Sequence, residues 1–171
     1  MADDELVEEV DERGNVLQVV TRAEMRAGLL RHRCTYIGVV DARGRLLVHQ
    51  RSPLKDVFPS WWDVAAGGVC TAGEEWDVSA RRELAEELGI DVPLEHLGQG
   101  TWEGGGASLV GHVYLARSDG PFTFADGEVT QTRFVDAVEL ATMLQTLSFC
   151  PDSIELALPL LRRFLEQPPP K

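Results

Sequence analysis

A chain of 171 residues, 44% of them hydrophobic, is long enough for one domain with a substantial core. Its 28 acidic against 16 basic side chains give a formal charge of −12, which argues against a nucleic-acid polymer as partner, because binding to a phosphate backbone rests on clusters of Lys and Arg. No apolar run approaches the length a bilayer requires, and the opening Met1-Ala2-Asp3-Asp4-Glu5 lacks the form of a signal peptide, so a cytoplasmic protein with no membrane contact is expected.

In chain order, Glu5 to Val10 and Val16 to Val20 read as short strands joined by the turn Asp11-Glu12-Arg13-Gly14-Asn15. Thr21 and Glu24 stand at capping-box spacing and predict a short helix to about Gly28. This hairpin and helix, residues 1–30, form an extension that leans on the domain or joins a dimer, leaving monomer and homodimer both open. Two apolar runs, Cys34 to Val40 and Arg45 to Gln50, flank Asp41-Ala42-Arg43-Gly44 and predict a hairpin. Arg51 ends the second strand. Lys55, the one lysine besides Lys171, lies in the next loop and is either a plain surface residue or a phosphate contact. Trp61 and Trp62 precede the Gly-rich Val64-Ala65-Ala66-Gly67-Gly68 and are read as core. Cys34, Cys70 and Cys150 are odd in number, far apart and without metal-ligand spacing, which predicts reduced thiols; Cys70 reads as a small loop filler.

The next segment predicts a helix from about Glu74 to Leu88, stopped by Gly89. On it Glu83, Glu86 and Glu87 stand at i, i+3 and i+4, so three carboxylates leave one face, while Ala80, Leu84 and Leu88 form an apolar stripe beside them. Like charges so placed repel, and a divalent cation with a taste for hard oxygen, Mg²⁺ with Mn²⁺ as substitute, answers them best. Leu97 to Trp102 and Leu109 to Ala116 read as strands about Glu103-Gly104-Gly105-Gly106, with His112 and Tyr114 on one face. Thr130 to Val135 is a further strand, and Asp136 starts a helix to about Leu144. Before that strand lies the acidic loop Asp126-Gly127-Glu128-Val129. Pro151 to Glu166 predicts a helix with a kink at Pro159 and an apolar stripe at Ile154, Leu158, Leu161 and Leu165, followed by a disordered Pro-rich tail at 168–171.

Gly68, five residues, Glu74, seven residues, then Arg82-Glu83-Leu84-Ala85-Glu86-Glu87-Leu88-Gly89-Ile90 resembles the Nudix box at every fixed position. Chance would produce that match with a probability on the order of 10⁻⁸. The resemblance implies an α+β fold, an α/β/α sandwich with a mixed central sheet over residues 31–167, the signature helix on one side and the C-terminal helices on the other. It implies a Mg²⁺-dependent hydrolase that cleaves a phosphoanhydride bond in a nucleoside diphosphate or triphosphate, or in a nucleoside diphosphate linked to another group. Glu83, Glu86, Glu87 and the carbonyl of Gly68 would hold the metal, with one of these glutamates or Glu128 taking the proton. Glu128 is otherwise a solvated loop acid. Arg51 would face substrate phosphate, with a surface salt bridge as the competing account, and both Arg51 and Lys55 would be exposed contacts. Glu74 and Arg82 would support the cluster. The stretch from His32 onward also resembles the isopentenyl-diphosphate isomerase branch. The cysteine, histidine and paired glutamates used there correspond, in gapless reading, to Gly67, Val69, Ala107 and Leu109, so that chemistry lacks its acid and base. A non-catalytic nucleotide sensor is the remaining alternative, and the complete carboxylate set speaks against it.

Overall fold

The strand β3, Arg31–Val40, is buried from His32 onward and reads accordingly as a nearly continuous apolar run. In the computed structural model, which describes residues 2–165, it is the axis of an eight-stranded sheet. Alternation along β3 sends Cys34, Tyr36 and Val40 to one face and Ile37 and Val39 to the other, so each face has its own core. β3 runs parallel with β7, Ala107–Arg117, from Arg31↔Ser108 to Val40↔Arg117. The other paired strands are antiparallel, which makes the sheet mixed: β1 (Leu6–Val10) with β2 (Val16–Thr21) and β3, β4 (Leu46–Arg51) with β3, β5 (Trp62–Asp63) and β8 (Val129–Val135), and β6 (Leu94–Gly104) with β7.

The expected hairpin of β3 and β4 closes at its turn but pairs only at Val40↔Leu46. Beyond that point the strands separate, and the segment 66–70 takes the vacated edge: Ile37 N donates to Ala66 O at 2.7 Å, Thr35 N to Gly68 O at 3.0 Å, and Cys70 N to Arg33 O at 2.9 Å. This splay sets Gly67 and Gly68 in the sheet, directly before α2, Trp76–Leu88. The helix packs Ala80, Leu84 and Leu88 on Ile37, Val39 and Tyr114. It starts two residues later than expected because the Glu74 side chain turns back to accept from Thr71 N at 3.1 Å, and it ends at Gly89, in the left-handed region.

The opposite face is covered by α1 (Arg22–Gly28), α3 (Ala137–Thr146), α4 (Pro151–Leu156) and α5 (Leu158–Leu165), which contribute Met25, Leu140, Met143, Leu158 and Leu161. Thr21 and Glu24 cap α1 reciprocally, and Asp136 and Glu139 cap α3 in the same way. The single helix expected from Pro151 to Glu166 is two, divided at Ala157. Pro159 has no N–H to offer the carbonyl of Glu155, and its ring crowds that turn, so the chain breaks there and starts again. The tail expected at 168–171 lies outside the described residues. The three cysteines are free and buried. No helix among the described residues is long and apolar enough to cross a membrane.

Candidate active site

Two glycines bring backbone against carboxylates. Gly67 has φ +145°, and a Cβ there would fall 1.8 Å from the Thr35 carbonyl oxygen, so no side chain fits; its N–H donates to Glu87 Oε2 at 3.1 Å. A Cβ on Gly68 would lie 2.8 Å from the Glu83 carboxyl. Glu83 and Glu87, one turn apart on the inward face of α2, are 7% and 2% exposed, whereas the Glu86 side chain is half exposed. The apolar stripe buries the helix, and the neighbouring acidic face is carried down with it.

Two cations answer these charges. Arg82 forks onto Glu74 with bonds of 2.8 and 2.9 Å, and its Nη1 donates to Glu83 at 2.8 Å and Glu86 at 3.3 Å. Lys55 pairs with Glu128 and has its Nζ 3.9 Å from Glu87 Oε1. Glu83, Glu86, Glu128, Gly68, Arg82 and Lys55 thus line one chamber. The Arg82 hydrogen bonds hold Glu74 below its ordinary pKa. Burial works on Glu128 in the upward direction, but the hydrogen bond and charge of Lys55 prevail and its pKa is lowered. Burial pushes Glu83 up to about 7 against the pull of Arg82, and drives Glu87 well above the usual carboxylate range.

The folded state therefore keeps the Glu83 proton to a higher pH than the unfolded chain does. This carboxyl favours folding in full below about 4.5 and loses that contribution as the pH climbs through about 7. Glu83→Gln removes the titration. In chelator, the variant should gain on the wild type by roughly 3 kcal/mol between those limits and keep the gain above them. Urea unfolding midpoints across the range check this; a difference that does not change with pH would mean that Glu83 is ionised throughout.

The residues fit a divalent cation by their chemistry. Two buried carboxylates with raised pKa values are negative charge that burial opposes, the donors are hard oxygens, and the Gly68 backbone approaches Glu83 where a side chain would fill the space. Among the described residues no three acidic, imidazole or thiol groups converge on one point to form a ready-made ion cage, since Arg82 and Lys55 engage the carboxylates in ion pairs.

Beside the chamber opens a cleft whose walls include Arg51, Tyr36, Asp63 and Asp152. The expectation that Arg51 is an exposed contact is overturned. Its side chain is 15% exposed, Nε and Nη2 donate to the Val57 carbonyl at 3.2 and 2.9 Å, and Nη1 lies 3.9 Å from buried Asp63. Arg51→Ala should therefore lower stability by about 2 kcal/mol, read as a fall in the denaturation midpoint, where an exposed residue would leave it unmoved. Lys55 is likewise enclosed, at 16%. Burial raises the Cys70 thiol to about 11, which agrees with a loop filler rather than a nucleophile. His112 stacks on Trp76 with centroids 3.8 Å apart, Trp62 packs against the core, and Trp61 leans on Phe58 at the cleft.

Sequence reasoning missed the share of the N-terminal segment. Glu5 lines the chamber, and its carboxylate accepts from Thr71 Oγ1 at 2.8 Å and from Arg22 at 3.1 Å; Arg22 and Arg26 line the cleft. It also missed Tyr36 O–H donating to Asp152 at 2.7 Å. Partners 66 and 116 residues apart leave no local signal.

A mixed sheet between helical layers, with Gly68 and the α2 residues Glu83 and Glu86 lining one chamber and Glu87 buried behind it, defines an α/β/α protein with an acidic site. The NUDIX domain family model matches residues 30–153, and the chain belongs to the Nudix family. It is 38% identical over 156 residues to the uncharacterized Nudix hydrolase YfcD of Escherichia coli K12, spanning 91% of this chain and 86% of that one. The crystal structure of DR0079 from Deinococcus radiodurans superposes with a TM-score of 0.77 at 25% identity, over 95% of this chain and all of that one. The NUDIX domain of Shewanella oneidensis NrtR, solved in complex with ADP ribose, shares the fold with a TM-score of 0.63 at 19% identity, over 84% of this chain and 98% of that one.

Proposed function

We propose that this chain is a Mg²⁺-dependent hydrolase, with Mn²⁺ as substitute, that cleaves a phosphoanhydride bond in a nucleoside diphosphate or triphosphate or in a nucleoside diphosphate linked to another group. The observation that carries the reading is the sharing of one chamber by Glu83, Glu86, Glu128 and Gly68, with Glu87 buried behind it. Cleavage requires water in line with the P–O bond, a proton acceptor and neutralised phosphoryl oxygens. Glu83, Glu86, Glu87 and the Gly68 carbonyl would hold the cation, which when bound supplies the neutralising charge and lowers the pKa of water. Glu128 or one of the α2 glutamates takes the proton. Lys55, at the chamber wall, and Arg51, in the cleft, offer cationic contacts to phosphate. Arg82 keeps Glu74 and Glu83 in place. Three free, buried thiols suit a cytoplasmic setting.

Gly67, Val69, Ala107 and Leu109 all border the cleft, so the positions where the isomerase branch carries acid and base face the ligand space without a titratable group. The hydrogen-bonded pair Tyr36 and Asp152 borders it too, so proton-transfer chemistry belongs in the test. The purified chain with Mg²⁺ is assayed against nucleoside diphosphates and triphosphates, ADP-ribose, dinucleotides and isopentenyl diphosphate. Release of phosphate or a nucleoside monophosphate is the expected result. Dimethylallyl diphosphate formed at enzyme-like rates, or no turnover of any nucleotide, would overturn the reading.

A further inference from the structure

The chamber and the cleft meet at two cations, Arg22 and Lys55, which line both. In a chain with 16 basic residues, Arg22, Arg26, Arg51 and Lys55 border this one cleft. Arg22 and Arg26 belong to α1, ahead of the residues matched by the family model. They stand four apart, on one face of that helix.

The placement of both is specific. Arg22 opens α1, where the helix dipole disfavours a cation, and it is kept there by Glu5, which is itself tied to Thr71 on the loop into α2. Arg26 Nε lies 3.3 Å from Asp56 Oδ2 but out of line, so this buried donor makes no hydrogen bond. The helix that carries them is anchored by Met25, 1% exposed, and β1, which Glu5 immediately precedes, by Val7, wholly buried. A fixed pair of guanidinium groups beside the junction is suited to phosphoryl oxygens, which a planar fork binds in two-point fashion.

We propose that Arg22 and Arg26 bind the phosphoryl groups of the substrate on the side away from α2. The N-terminal extension is then one wall of the active site, and the ligand class is a diphosphate or longer polyphosphate that reaches from the glutamate chamber into the cleft. For the identity of the substrate this rests on the hydrolase reading above; for the binding of linked phosphates it does not.

The test is calorimetric titration of the full chain with inorganic pyrophosphate in the presence of Mg²⁺. Arg22→Ala and Arg26→Ala should each weaken binding about tenfold, and the double variant more, while Arg133→Ala, which removes the same charge from an exposed site paired with Glu139, should leave it unchanged. Thermal melts establish that each variant is folded. If an alanine variant is not, Arg22→Gln and Arg26→Gln take its place and should show the same loss. On any nucleotide that is turned over, the variants should raise KM with kcat nearly unaltered. Absence of pyrophosphate binding by the wild type, or equal affinity of wild type and folded variants, would overturn the proposal. Pyrophosphate binding that depends on both arginines in a chain that cleaves no nucleotide would sink the hydrolase reading and leave this one standing.

Discussion

Glu87→Gln should abolish most of the activity, by at least roughly a hundredfold with Mg²⁺ saturating, and leave the protein as stable as before or more so. The two effects have one origin. Glu87 is 2% exposed, burial drives its pKa up, and it accepts a hydrogen bond from Gly67 N with Lys55 at 3.9 Å and the carboxyls of Glu83 and Glu128 nearby. Glutamine keeps the shape and the acceptor for Gly67 but removes the buried charge, so the fold is relieved while the proposed metal site loses a charged donor. Glu86→Gln should match the loss of activity without the gain in stability, because the Glu86 side chain is half exposed. Chelator should abolish wild-type activity and added Mg²⁺ restore it. Turnover near normal in either variant would move the metal site elsewhere.

Arg82→Ala should be the most destabilising single change at the site. Its guanidinium satisfies Glu74, Glu83 and Glu86 together, and the first two side chains are only 12% and 9% exposed, so alanine leaves two enclosed carboxylates without their cation. Breaking such an enclosed pair costs about 3 kcal/mol, which for a domain of this size lowers Tm by about 10 °C. Arg82→Lys should recover only part of this, since an ammonium cannot span Glu74 in a two-point fork. Calorimetric melts of the two variants decide the point; a fall of a degree or less in the alanine variant would mean that solvent already screens the cluster.

Activity in Arg82→Ala should fall as well, through loss of the geometry of Glu83 rather than loss of a substrate contact. The mark of that role is a raised Mg²⁺ requirement that eases as the pH climbs, because without the Arg82 charge Glu83 keeps its proton to a higher pH and must lose it to hold a cation.

What the sequence determined by itself is what repeats over one or two turns. The i, i+3, i+4 spacing placed Glu83, Glu86 and Glu87 on one side of a helix, the stripe of Ala80, Leu84 and Leu88 said which side is buried, Gly89 ended it, and Thr21 with Glu24 and Asp136 marked helix starts, because backbone geometry ties each to its neighbours at fixed offsets. Only the tertiary structure decided that Glu87 is buried while Glu86 is not, that β3 and β4 part to admit Gly67 and Gly68, that Arg51 is enclosed, and that Glu5, Arg22 and Arg26 reach the site. Those outcomes depend on which surfaces of distant segments cover one another, and a contact such as Glu5 with Thr71 has no period along the chain from which it could be read.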